Sequence, residues 1–459
     1  MFADRDRLAR SPQHDLALEC IAAGVEAAHP ERVVRDRVTV TGDRLRVAGR
    51  ATTDYEAALP EVDRLLVVGG GNAAGTAAQA LEGVLGDRID DGVVVTDDPA
   101  PCERVNVRTG DHPVPTARTV EATETVLELA HSAGADDLVL VTVTGGGSAL
   151  LAAPAKGLSL PDLRGATEGL LASGATIGEV NTVRKHLSAV KGGGLARAAA
   201  PATVVGLVLS DVVGDDLRTV ASGPTAPDPT THDDALGVLT RHGVSVPATV
   251  REHLKAGRCE ERGETPADPA TAGDVTNRVL ADSLTALEAA AGVARERGYT
   301  PLVLSARTRG EAREAAKSHV AVAEECAASG NPVDPPAVLL GGGEVTVADA
   351  DGHGVGQGGP NAEFGVSAAL ALAGHDPGHT VAASVDTDGV DGNSDAAGAL
   401  VDGDTVVDPA AARAALRTHT TAGYLADRDA AVHTGPTGTN VSDLRVFVVD
   451  SRESGDTNS

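Results

Sequence analysis

Tryptophan is absent from this 459-residue chain, which has three phenylalanines, three tyrosines and one methionine. Isoleucine occurs three times and lysine five times. Scarce aromatics beside a net charge of −28 are one signature of disorder. The 42% of hydrophobic residues, set in periodic blocks rather than scattered, excludes that reading. The four cysteines, Cys20, Cys102, Cys259 and Cys326, form no CxxC pair. Neither a cysteine zinc site nor a disulfide framework is expected, and a reducing compartment fits. No run of about 18 apolar residues is available to span a bilayer. The first residues, MFADRDRLARSPQ, carry charge without an apolar stretch, so no signal peptide is expected and the cytoplasm is the expected location.

Positive charge is the other shortage, with 38 basic against 66 acidic residues. The composition resembles the acid-surfaced proteins of salt-in halophiles, in which concentrated salt screens self-repulsion. So negative a field argues against nucleic acid or an anionic membrane as partner. An anionic substrate then needs a local positive pocket. Two of the five lysines, Lys185 and Lys191, lie in Asn181-Thr-Val-Arg-Lys-His-Leu-Ser-Ala-Val-Lys-Gly-Gly-Gly194, with Arg184 and His186 beside them. Ammonium groups supply point charge for carboxylate or phosphate, and the glycines let backbone N–H groups approach a ligand. A basic helix face closed by glycines is the structural alternative.

The length suits two or three domains. Helical spacing is seen over 15–29, and short alternating strands over 37–40 and 44–47. A buried strand then runs into Gly69-Gly-Gly71-Asn72-Ala-Ala-Gly75 and an alanine-rich helix, the setting for an anion at a helix N-terminus. With strand 92–96 and Asp97 this approaches a dinucleotide fingerprint whose last glycine is one place late. A helix over 117–131 and a strand over 137–144 lead to Gly145-Gly146-Gly147-Ser148. Two glycine turns after buried strands predict a doubly wound, Rossmann-like parallel sheet in the first half. Strand 203–209 delivers Ser210-Asp211-Val-Val-Gly-Asp215-Asp216, carboxylates of the kind magnesium prefers. Residues 256–274 are polar and turn-rich and read as a linker between a domain at 1–255 and another at 275–450, with a polar tail at 451–459.

The second half again alternates helix and strand. Strand 337–340 ends in Gly341-Gly342-Gly343-Glu344, read as another glycine turn, and strand 380–384 leads to Asp386-Thr-Asp388-Gly-Val-Asp391. A calcium loop of EF-hand type is rejected because no glutamate holds the twelfth place. GxxxxGK[ST] is absent, which excludes a P-loop. Ser188-x-x-Lys191 lacks the companion motifs of penicillin-recognising enzymes, and no GxSxG elbow occurs.

The ordered blocks TGGGSALL (144–151), NTVRKHLSAVKGG (181–193), SDVVGDD (210–216), ASGPT (221–225), GGEVTV (342–347), DTDGVDGNSDAAGA (386–399) and TGPTGTNVSDL (434–444) resemble the glycerate 2-kinase family. The resemblance runs from about residue 15 to 449 and makes this an acidic, haloarchaeal-like member. It implies two α/β lobes, a large N-terminal one and a smaller one containing the MOFRL segment at about 335–450, with the active site in the cleft. It implies ATP, Mg2+ and D-glycerate as ligands, and it allows a homodimer. By the same resemblance Gly145, Gly146, Gly147, Ser148 and Asn181 hold glycerate, and Arg184, Lys185 and Lys191 neutralise carboxylate and phosphoryl. Asp388 orients the hydroxyl or takes its proton. Gly341, Gly342, Gly343, Glu344, Thr437, Gly438 and Asn440 contact nucleotide, and Asp211 or Asp216 holds the metal. Two positions depart from the family: Asn72 stands where a lysine is usual and Pro360 where an arginine is usual. A catalytically impaired paralogue is therefore one alternative. A hydroxypyruvate reductase is another, because some members carry that name.

Overall fold

The structure is a computed structural model describing residues 1–50, 52–258, 264–265, 273–348, 356–373 and 380–450. The chain forms two compact units, one of Pro30–Asp211 and Asp215–Ala281, the other of Met1–His29, Val212–Gly214 and Asp282 onward. The tail at 451–459 lies outside the described residues. Among the described residues no helix is long and apolar enough to cross a membrane.

The unit built from the middle of the chain contains a six-stranded sheet of Leu65–Gly70, Asp91–Thr96, Val105–Thr109, Leu138–Val143, Thr203–Leu209 and Val275–Ala281. All neighbours are parallel. Counted in chain order the strands lie 3-2-1-4-5-6, the doubly wound order expected from the glycine turns. Every residue of Leu65–Gly70 and of Leu138–Val143 is buried, as continuous apolar runs require when helices cover both sheet faces. A separate antiparallel sheet of Val38–Thr41, Arg44–Val47 and Tyr55–Ala58 belongs to the same unit.

Four further helices of this unit, Leu160–Ala172, Ile177–His186, His232–Arg241 and Ala248–Arg258, share a core of Leu170, Val180, Val183, Leu239, Val250 and Leu254. Three of them begin with reciprocal capping boxes, Ser159 with Asp162, Thr176 with Glu179 and Thr231 with Asp234. Each box satisfies N–H groups that the first turn otherwise leaves without partners.

The other unit holds a mixed sheet in the order Thr300–Thr308, Ala337–Gly343, Asp443–Val449, Thr380–Asp386, Gly398–Asp402 and Ala431–Val432. Only its first pair is parallel. Alternate residues face opposite cores: Val338, Val381, Ala383 and Val448 one way, Leu339, Ala382 and Phe447 the other. The first face is covered by Pro12–Ala28 and Ser283–Glu296, whose Leu18, Ile21, Leu287 and Ala290 join the same core.

The domain division expected at 256–274 therefore differs from the observed one. Residues 259–263 and 266–272 of that stretch lie outside the described residues. Past it, Val275–Ala281 still pairs with Thr203–Leu209, so the units divide after Ala281. The N-terminal helix belongs with the C-terminal sheet because its apolar stripe supplies that sheet's missing cover. Truncating Ile21, which is fully buried, should cost about 2–5 kcal/mol. Hydrogen exchange of Ile21→Ala should show lost protection in Ser283–Glu296 and Asp443–Val449 with Leu65–Gly70 unchanged; the reverse pattern would overturn the assignment.

Candidate functional site

In a sheet ordered 3-2-1-4-5-6 the crevice opens between strands 1 and 4, beyond their carboxyl ends. Leu65–Gly70 and Leu138–Val143 are those strands, and the two glycine turns meet there. Asn72 N donates to Gly145 O at 2.8 Å, and Ala73 N donates to the Thr144 hydroxyl at 3.2 Å. Gly146 has φ +72, and a Cβ there would come within 1.8 Å of Asn72 Oδ1. The carboxamide of Asn72 fills that space and donates to both Asp97 oxygens, at 2.9 and 2.8 Å. A Cβ on Gly145 would lie 2.6 Å from Asp211 Oδ2, so this aspartate stands directly over the turn.

Ser148 Oγ lies 2.8 Å from Ser222 Oγ, which donates to Asn181 Oδ1 at 3.1 Å. Asn181 is thus buried behind Ser222. Ala221 and Ser222 have φ of +49 and +62, conformations that non-glycine residues hold only where packing enforces them, and that cluster at functional sites. Gly147 makes this packing feasible, since its own Cβ would meet that of Ala221 at 2.6 Å.

The cations do not act as one cluster. Arg184 and Lys185 are successive residues in the last turn of Ile177–His186, about 100° apart around the helix axis, and so face different ways. Arg184 and Lys191 line a cavity of about 400 Å³ with Gly146 and Ser148, and Val114, Leu163 and Leu171 are among its apolar lining. Lys191 Nζ donates to Ser148 O at 2.7 Å and Leu151 O at 2.8 Å. Burial, then the neighbouring Arg184, pushes its ammonium down to about 7. Burial also lowers Arg184. Lys185, expected beside them, instead pairs with the buried Asp228 at 3.4 Å and lines a second cavity. Asp216, the other expected metal ligand, accepts from Arg218 Nε at 2.8 Å and Nη2 at 2.9 Å, a pairing that lowers its pKa. Asp211 and Asp216 both offer the carboxylate oxygens that magnesium prefers, Asp211 over the glycine turn and Asp216 from its pairing with Arg218.

In the other unit, Gly341, Gly342 and Gly343 form no turn. They end the strand Ala337–Gly343, paired with Arg445, Leu444 and Asp443. Close neighbours explain the glycines: a Cβ on Gly342 would meet Ser283 Oγ at 2.1 Å, and one on Gly343 would meet Thr308 O at 2.4 Å. Glu344 follows, exposed. Thr437 N and its hydroxyl donate to Asp388 O and Thr387 O, at 3.0 and 2.5 Å, fastening the 433–442 segment to the aspartate loop. Gly438 has φ +80, and Asn440 Oδ1 accepts from Ser442 N at 3.0 Å.

Asp388 Oδ1 accepts from Val390 N at 2.8 Å. The same loop brings Asp386 and Asp391, to which the sequence assigns no separate role. Burial, with Asp388 and Asp443 nearby, holds the Asp386 carboxyl well above the usual range. Asp391 is pushed up to about 6, mainly by burial, although it accepts from Asn361 N and Ala362 N at 2.9 and 2.8 Å. Those amides open the helix Pro360–Leu372, so Pro360 occupies the first helical position, where its missing N–H costs nothing.

Because the charged form of Lys191 is disfavoured in the fold, the deficit is complete below pH 7. It fades as pH rises from 7 towards the unfolded lysine value near 10.4. In urea unfolding, wild type should gain on Lys191→Met by up to about 1.4 kcal/mol per pH unit above 7. A difference that does not change with pH would show that the ammonium is not destabilised.

Two family models match the chain, one described as a domain of unknown function (DUF4147) over residues 16–255 and the MOFRL family over 337–443. A Pyrococcus horikoshii protein named glycerate 2-kinase is 36% identical, across 95% of this chain and 98% of its own. An Agrobacterium vitis protein provisionally named hydroxypyruvate reductase is 42% identical, across 84% of this chain and 87% of its own. The crystal structure of glycerate kinase from Thermotoga maritima superposes with a TM-score of 0.80 at 36% identity, covering 95% of this chain and 98% of that one. With this agreement along nearly its whole length, the chain belongs to the glycerate kinase family.

Proposed function

We propose that this chain is a glycerate 2-kinase that transfers the γ-phosphoryl of ATP to the 2-hydroxyl of D-glycerate in a Mg2+-dependent reaction, giving 2-phosphoglycerate. The supporting observation is that Arg184 and Lys191 line the same cavity as Gly146 and Ser148, with Lys191 Nζ 2.7 Å from Ser148 O, which sets positive charge beside a glycine turn at the switch point. Arg184 and Lys191 bind the carboxylate and stabilise charge on the transferring phosphoryl. The Ser148 hydroxyl and the Gly145–Gly147 turn orient the acid. Asn181 acts through Ser222. Lys185 steadies Asp228 and has no direct role in transfer. The hydroxyl oxygen bonds to the γ-phosphorus as the bond to the bridging oxygen breaks, ADP leaves, and the hydroxyl proton passes to a carboxylate.

We assign proton acceptance to Asp388 and contacts with the nucleotide phosphates to the Gly341–Glu344 and Thr437–Asn440 segments. Asp211 would hold Mg2+, which supplies charge neutralisation on the phosphate oxygens when bound. A reductase reading draws on the Agrobacterium name and on the strand order. It is disfavoured because the last glycine of the turn, Gly75, stands one place late for a dinucleotide fingerprint.

Purified protein in molar KCl with ATP, D-glycerate and Mg2+ should form 2-phosphoglycerate; no product at any Mg2+ concentration would overturn the proposal. Arg184→Ala should lower kcat by roughly 10²–10³-fold. Asp388→Asn should lower kcat by about 10²–10⁴-fold with little change in KM. Restoring the usual lysine with Asn72→Lys separates an impaired site from a complete one. A complete site predicts no gain, because the new amine meets Asp97.

A further inference from the structure

The second cavity, about 840 Å³, is lined by Lys185, His186, His232, His253, Glu264 and Thr265 among others, and the phosphoryl-transfer reading gives it no role. Two imidazoles and a carboxylate converge there. His186 Nε2 lies 3.3 Å from Glu264 Oε2, and His232 Nδ1 lies 2.7 Å from the same oxygen. One ligand atom from each residue falls within a sphere of contacts no longer than 4.8 Å. Bonds of about 2.0–2.2 Å to one tetrahedral ion set its ligand atoms roughly 3.4 Å apart, so little movement is needed.

Local structure prepares each donor. His186 Nδ1 faces Thr182 O at 2.8 Å. A carbonyl only accepts, so Nδ1 carries a proton and Nε2, the nitrogen facing Glu264, is the one left to meet a metal, the arrangement that orients metal-bound histidines elsewhere. The ring's side chain is wholly buried. His253 Nε2 donates to the carbonyl of His186 at 2.9 Å, holding the helix end in place. His232 opens the helix His232–Arg241, and its backbone N–H donates to both Glu264 oxygens, at 3.3 and 3.1 Å. Space for its ring comes from Gly257, inside the helix Ala248–Arg258, where a Cβ would lie 2.2 Å from His232 Nε2. A glycine within a helix is unfavourable unless something needs the room, and here the imidazole needs it.

We propose that His186, His232 and Glu264 bind one divalent transition-metal ion of the zinc class through two imidazole nitrogens and one carboxylate oxygen, with a fourth position open to the cavity. Binding replaces the proton shared between His232 and Glu264. Imidazole donors select zinc-like ions, whereas magnesium prefers an all-oxygen set, so the site is distinct from the one at Asp211.

The probe is Co2+, titrated into full-length protein stripped with chelator and then freed of it, in molar KCl with excess Mg2+. One equivalent should bind per chain, with the visible spectrum of four-coordinate nitrogen and oxygen ligation, no thiolate charge-transfer band, and displacement by Zn2+. Glu264→Gln, which keeps the shape, and His232→Phe should each weaken binding by more than the roughly 10–100-fold that loss of an outer partner costs. Absence of a four-coordinate spectrum, or unchanged affinity in a folded Glu264→Gln, would overturn the proposal and leave the three residues as a structural pairing at a helix start. The readout needs no turnover, so its failure is distinguishable from failure of the kinase reading.

Discussion

An ammonium group with 4% exposure must find partners or cost several kcal/mol, and Lys191 finds them in the carbonyls of Ser148 and Leu151. Those oxygens lie at the end of the single-turn helix Gly147–Leu150, where carbonyls lack intrahelical donors. One contact thus satisfies a buried charge and caps the helix that follows the second glycine turn. It also joins the segment after Ile177–His186 to the end of strand Leu138–Val143. Arg184 reaches the same cavity as Lys191 from the last turn of Ile177–His186. The role proposed for these cations draws on the same burial, since a cation stripped of water and held by dipoles interacts more strongly with an arriving anion than a solvated one.

Around this contact the backbone is packed to the limit. Gly145, Gly146 and Gly147 are each pressed by a different side chain, Asp211, Asn72 and Ala221. Ala221 and Ser222 hold left-handed conformations that only such packing sustains. A turn built this way has one geometry, and preorganised donors lose little entropy when substrate binds.

Much of this was legible because parallel strands covered on both faces read as unbroken apolar runs, and two of them, Leu65–Gly70 and Leu138–Val143, run into glycines. Other features were hidden for physical reasons. Arg184 and Lys185 look adjacent in sequence, yet helical rotation sends them to separate cavities. Helices Leu160–Ala172 and Ile177–His186 carry weak apolar patterning, although Ser159-x-x-Asp162 and Thr176-x-x-Glu179 mark their starts. The glycines at 341–343 imitate a phosphate turn, whereas the crowding of Ser283 and Thr308 that demands them comes from distant chain. Asp386 and Asp443 face each other only through strand register, which no local motif records.

The N-terminal helix Pro12–Ala28 covers a sheet whose central strand, Asp443–Val449, is the last to be made. During translation the middle unit can close on itself while that first helix waits, its apolar stripe uncovered, until that strand emerges. Long-range pairing of this kind slows folding and prolongs exposure of sticky surface. The helix is therefore the segment on which a nascent-chain chaperone has the longest time to act.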